Sequence, residues 1–131
     1  MNILFEAAKG SVPVTIARVS GRFDASTADY FNEKVEEQVK AGTTDLLLDL
    51  SDVDFISSIG IRSIGGLYDS LHPGTPEEKK AIYEGIRSGT YKAPHLKLLN
   101  PSSRVMDLFK MVSLDMYLEI FTDERKALAA F

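Results

Sequence analysis

Apolar and polar residues follow two periods along this chain, one of two and one of three to four. Ile3 to Ala8 is a short apolar segment, Lys9-Gly10-Ser11 reads as a turn, and Val12, Val14 and Ile16 then recur at every second position. Alternation puts successive side chains on opposite faces of a strand, so the pattern predicts a β-hairpin, its second strand ending at Gly21. From there the period lengthens. Ser26 offers an N-cap hydroxyl with Asp29 three residues on, and Phe31, Val35 and Val39 share one helical face. Glu36 and Lys40 are spaced to pair on another face, and Gly42 supplies the left-handed residue that ends a helix. Leu46, Leu47, Leu48 and Leu50 then form the nearly continuous apolar run of a central strand covered on both faces, ending at Ser51.

Ile61, Ile64, Tyr68 and Leu71 recur at steps of three and four and predict a second helix behind Ser57-Ser58-Ile59-Gly60. Gly60, Gly65 and Gly66 each cost about 1 kcal/mol relative to Ala in a helix, which close approach of helix to sheet would offset. The stretch 73–94 interrupts the rhythm. Pro73-Gly74 is a turn, and Thr75-Pro76-Glu77-Glu78 combines an N-cap, a proline at the first helical position and a capping glutamate. An extra helix is expected there, with Ile82 and Ile86 on one side and a stop near Gly89. Leu96, Leu98 and Leu99 read as a strand ended by Asn100-Pro101. Ser102 or Ser103 caps a helix that buries Val105, Leu108, Phe109 and Val112. Met116 to Phe121 reads as a last strand, and Thr122 caps a final helix with Leu128 inward. Strands alternating with helices imply parallel pairing after the opening antiparallel hairpin, hence an α/β fold with a mixed central sheet flanked by helices.

The 131 residues suit one domain, 1–131, and 44% hydrophobic with 26% charged residues is a globular balance. No apolar run approaches the ~20 residues that cross a bilayer, and no basic segment precedes an apolar one in Met1 to Ala8. A cytoplasmic protein without membrane insertion is expected. The absence of cysteine removes disulfides, thiolate nucleophiles, iron–sulfur ligation and cysteine-based zinc sites. A net charge of −4 argues against a nucleic-acid surface and points to protein partners. His72 and His95 lie beside turns, outside any metal-ligand spacing, and no nucleotide-cradling glycine loop or nucleophile elbow occurs. No catalytic residue, metal or cofactor is expected, and the chain reads as a binding protein rather than an enzyme. One enzyme arrangement stands in outline: Asp49, Asp52 and Asp54 cluster near the end of the central strand, where Mg²⁺ could bind. The alternation of Asp52 and Asp54 with Val53 and Phe55 favours carboxylates turned to water.

Ser57-Ser58 lies at a strand-to-helix junction. A hydroxyl there can cap the helix, and the free N–H groups and positive dipole end of the helix also accept a phosphoryl group of charge near −2.

Four segments carry a resemblance to the STAS family, named for sulphate transporters and anti-sigma factor antagonists. Val19-Ser20-Gly21-Arg22-Phe23-Asp24 resembles the family's strand ending in G-x-L-D, and Leu46 to Phe55 its central strand and following loop. Ile56-Ser57-Ser58-Ile59-Gly60-Ile61 is similar to the I-D-S-[ST]-G-L signature, and Leu96 to Pro101 with Val105 to Leu114 to the later strand and helix. The resemblance implies a STAS-like fold in which 73–94 is a helical insertion, and a single phosphoacceptor serine, Ser58. It further implies partner binding through Asp24, Ser57, Ser58, Ile59 and Gly60. The implied partners are an anti-sigma factor with serine kinase activity, which binds the unmodified form, and a phosphatase acting on Ser58. Three positions depart from the pattern: Ser57 stands where the family has Asp, Ile59 where it has Ser or Thr, and Arg62 where a second Gly is frequent. The alternative is a STAS domain that is never phosphorylated and serves as a constitutive subunit of a transporter or signalling scaffold.

Overall fold

In the computed structural model, which describes all 131 residues, the opening alternation becomes an antiparallel pair, β1 (Asn2–Lys9) and β2 (Pro13–Phe23). Helix α1 (Ala28–Lys40) leads to β3 (Leu46–Ile56), which lies parallel to β2. Helices α2 (Ser58–Leu71) and α3 (Pro76–Ser88) come next, and then β4 (Leu96–Leu99) parallel to β3. Helix α4 (Ser103–Met111), a 3₁₀ turn at Leu114–Met116, β5 (Ile120–Phe121) and α5 (Glu124–Ala129) complete the chain. The sheet runs β1-β2-β3-β4-β5, mixed as expected. No helix is long and apolar enough to cross a membrane.

The strand period sorts the core into two layers. Ala17, Val19, Leu46, Leu48 and Leu50 face α1, α2 and α4, against Phe31, Val35, Ile64, Leu67 and Phe109. Val14, Ile16, Leu47 and Leu99 face the other way, under Ala127 and Leu128 of α5. Phe23 and Phe31, with ring centroids 4.5 Å apart, fasten α1 to the end of β2. Truncating a buried phenylalanine of this kind costs about 3–5 kcal/mol.

Several boundaries differ from the pattern's prediction. β2 continues through Gly21, whose φ of +95° a side chain would resist, so this glycine bends the strand rather than ending it. β3 likewise continues past Ser51 to Ile56. Its pairing with β2 slips twice: Arg18 and Ser20 oppose Asp49 and Asp52, and Gly21 and Arg22 oppose Val53 and Phe55. Each time β3 spends one more residue than β2, the mark of a bulge, and core-facing residues pass from Leu48 and Leu50 to Val53 and Ile56 at steps of three.

At α1 the residue before the helix is Thr27, not Ser26, and the Asp24 carboxylate instead accepts from Ser26. Glu36 does not pair with Lys40 but accepts from the Ser70 hydroxyl on α2, while Lys34 meets Glu37 at 3.8 Å. Val112 lies beyond the end of α4 and is exposed, because the chain turns there through Ser113 at φ +60°. The last strand is only two residues long, Leu114–Met116 having wound into the 3₁₀ turn, and Asp123 rather than Thr122 caps α5. The α3 helix forms where the capping signals place it: Thr75 Oγ1 accepts from Glu78 N–H at 3.2 Å, and Gly89 closes it at φ +77°.

Candidate functional site

The two bulges carry the end of β3 alongside the end of β2, and α2 starts from that junction. The Ser57 N–H donates to the Phe23 carbonyl at 2.9 Å. Its hydroxyl accepts from Gly60 N–H at 3.3 Å, making Ser57 the N-cap of α2. Gly60 is buried here: an added Cβ would lie 2.6 Å from the Phe23 carbonyl oxygen and 2.8 Å from Ile56 Cγ1. The helix can therefore approach the sheet only with glycine at this position. Ser58 is the first residue of α2, and its side chain is exposed. The N–H groups of Ser58 and Ile59 precede the first intrahelical bond and have no partner.

Ser57, Ser58 and Ile59 line one shallow depression with Asp24 and Ser26 from the loop after β2. Its volume is about 410 Å³, and Arg22, Ala25 and Phe55 complete it. Four of the five sequence-nominated contact residues, Asp24, Ser57, Ser58 and Ile59, thus come together, and the fifth, Gly60, lies beneath them. Ile59 is 42% exposed, an apolar side chain at the rim. Asp24 Oδ1 accepts from the Ser26 hydroxyl at 2.6 Å and from its N–H at 2.9 Å. The Ser26 hydroxyl, above all, holds the Asp24 carboxyl below the usual carboxylate range; desolvation works against this, and Arg22 adds to it. Arg22 Nε donates to Asp24 Oδ2 at 3.2 Å, and its guanidinium lies 4.3 Å from the centroid of the Phe55 ring.

The sequence nominated none of Arg22, Ser26 and Phe55 for the site, and Ser26 only as a helix cap. Their signal was faint: Arg22 occupies the variable position of G-x-L-D, and Phe55 reaches the depression only because β3 is bulged.

Of the remaining candidate groups, Asp49 and the two histidines are tied up in structure. Asp49 is buried, and accepts from Arg18 at 2.8 Å and from the Ser51 hydroxyl at 2.6 Å, whereas Asp52 and Asp54 are exposed. Burial pushes the Asp49 carboxyl up, but Ser51 and Arg18 together outweigh it and leave the carboxyl below its usual range. His72 accepts the His95 N–H at Nε2, 3.1 Å away, so its Nδ1 carries the proton given to the Tyr68 carbonyl at 2.8 Å. His95 Nδ1 meets Asp45 at 2.8 Å.

The family model for the STAS domain matches residues 7–74, from β1 through α2 and so across the whole depression. The chain belongs to the STAS domain family. Among solved structures, an anti-sigma factor antagonist from Mycobacterium paratuberculosis superposes with a TM-score of 0.71 at 19% identity, over 98% of this chain and 93% of the other. The antagonist SpoIIAA in its unphosphorylated form gives 0.65 at 18% identity, over 95% and 93%. The Bacillus cell fate determinant SpoIIAA in its phosphorylated form gives 0.59 at 17%, over 95% and 96%. At such identities the shared property is the fold. No curated protein matches the sequence.

Proposed function

We propose that this STAS domain is a protein-binding module of the anti-sigma factor antagonist kind, controlled by phosphorylation of Ser58 in a partner-switching pathway. The observation that carries this reading is the exposed Ser58 hydroxyl at the head of α2, beside two unpartnered N–H groups, in one depression with Asp24, Ser57 and Ile59. An anti-sigma factor with serine kinase activity would dock here. It transfers the γ-phosphoryl group of ATP to Ser58 Oγ, the hydroxyl proton is lost and ADP leaves; a phosphatase reverses the change by hydrolysis.

The switch rests on where the new charge falls. Locally a phosphoryl group is welcome, because an anion at a helix N-terminus gains roughly 0.3–1 kcal/mol. Inside a closed interface the same charge, without a partner, costs about 3–5 kcal/mol. Binding is thus lost while folding is kept. Ile59 supplies an apolar contact where other family members carry a hydroxyl, and Ser57 leaves the surface one negative charge short of the usual pattern, so the cognate partner reads a less acidic face.

Incubation with a kinase-active anti-sigma factor and ATP should add one phosphate, mapped to Ser58 by peptide mass spectrometry. In calorimetric titration against the same partner, Ser58→Ala should bind as wild type does and Ser58→Asp about 100-fold more weakly or worse, with unchanged melting temperatures. Equal affinity of all three proteins would remove Ser58 from the interface and leave a constitutive STAS subunit of a transporter or scaffold as the better account.

A further inference from the structure

Helix α2 carries two glycines, Gly65 and Gly66, for which packing offers no reason. A Cβ built on either meets nothing within 4 Å, in contrast to Gly60. Both line a cavity of about 720 Å³ between α2, α3 and the turn after α4. That volume falls inside the roughly 300–1,000 Å³ range of small-ligand sites. Across from the glycine floor stand Ile82, Tyr83 and Ile86 of α3, with Met116 and Tyr117 closing one end. The α3 helix has no buried residue, although Ile82 and Ile86 form the apolar side that its sequence prepares. Ile82 and Ile86 stay only half-buried, line the cavity and join neither core cluster. Tyr83, Val112 and Met116, all exposed, add an apolar rim.

The polar lining has a sign. Arg62 and Lys79 reach the cavity and enter none of the protein's ion pairs. Asp69 offsets one of these charges. His72 stays neutral while its Nε2 accepts from the His95 backbone. The cavity thus nets one positive charge in a chain whose net charge is −4.

From the empty glycine floor, the unburied α3 and the unpaired cations, we infer that the space between α2 and α3 is a binding site for a small amphipathic anion. Such a ligand has an apolar, preferably planar body to lie on Gly65 and Gly66 beneath Ile82 and Ile86, and an acidic group to meet Arg62 or Lys79. None of these lining residues belongs to the depression around Ser58, so the inference stands independently of the switch proposed there.

The test uses two naphthyl probes that differ in charge. 8-Anilinonaphthalene-1-sulfonate, titrated into the full chain, should bind saturably at one equivalent with enhanced, blue-shifted emission. N-phenyl-1-naphthylamine, which keeps the rings without the sulfonate, should bind about fivefold more weakly or worse. Gly65→Leu starts from a Cβ that meets nothing within 4 Å and extends into the cavity, so it should lower sulfonate affinity about tenfold or more and melt at the same or a higher temperature. Lys79→Met should weaken the sulfonate and not the amine. No saturable binding to wild type, or wild-type affinity in Gly65→Leu, would overturn the site. Equal affinity for the two probes, unaltered in Lys79→Met, would overturn the assignment of an anion.

Discussion

Arg22 faces two competing acceptors in the proposed switch. In the unmodified chain it is tied weakly to Asp24 and rests on Phe55, at the edge of the depression that also holds Ser58. A phosphoryl group there brings a charge near −2 and three acceptor oxygens, a stronger attraction for a guanidinium than one carboxylate. The second ionisation of phosphoserine 58 should then fall below its usual value of about 6 and return towards it in Arg22→Gln. Phosphorus NMR titration of the two phosphoproteins decides this, and identical values would separate Arg22 from the switch. Asp24 needs a finer substitution than alanine, because its Oδ1 also orders the loop through Ser26. Asp24→Asn keeps that acceptor and removes the charge, so partner affinity should drop with the melting temperature unchanged; a lower melting temperature with full affinity would make Asp24 a purely structural residue. The residues legible in the sequence were those of short contiguous motifs, Asp24 and Ser57 to Gly60. Arg22 and Phe55 were illegible because their meeting depends on a strand register that no local pattern states.

At the scale of elements, the three glycines of α2 separate two uses of a missing side chain. Gly60→Ala would press a methyl group against the Phe23 carbonyl and Ile56, and should cost about 1–3 kcal/mol in urea unfolding. Gly66→Ala meets nothing and should stabilise by up to about 1 kcal/mol through helix propensity alone. Destabilisation of similar size in both would refute the distinction. From sequence the three looked alike, since each is simply a glycine at helical spacing, and packing was the common expectation; only Gly60 meets it. The order and type of the long elements were legible, because Phe31 and Val35 or Leu46 to Leu50 state their period unambiguously. Boundaries failed where a tertiary partner extended or cut an element. β3 outlasts Ser51 because two bulges keep it paired with β2 after the alternation lapses, and the expected strand from Met116 shrank to Ile120–Phe121 because Leu114–Met116 wound into a turn.

Two polar clusters bind parts of the molecule that lie far apart in sequence, and both make the whole fold sensitive to acid. Arg18 on β2 joins Glu6 of β1, Asp49 of β3 and Glu124 of α5 at 2.8–3.0 Å, which holds α5 to the far side of the sheet. His72 at the end of α2, stacked on Tyr68 at 4.2 Å, links the segments before β3 and β4 through His95 and Asp45. Burial pushes the His72 imidazole below its ordinary value of 6.5; His95 adds to this, while the Tyr68 carbonyl, Asp45 and Asp69 oppose it. Protonation would also replace the acceptor at Nε2 with a donor facing the His95 N–H. The folded state thus binds this proton less readily than the unfolded chain, and stability is complete above pH 6.5 and declines as pH falls from there through the lowered folded value. Asp49, also lowered, repeats the loss in a second window that opens near its ordinary value of 3.8 and deepens as pH falls. Urea midpoints measured from pH 8 to pH 3, roughly the range these two groups span, should therefore decline in two steps. His72→Phe keeps a ring against Tyr68 but cannot titrate; it should be less stable at every pH, since the His95 N–H loses its acceptor and the Tyr68 carbonyl keeps only the backbone N–H of residue 72 as donor, yet lack the upper step. A midpoint that rises on acidification through the upper window, or an upper step that survives in His72→Phe, would show that another group governs it.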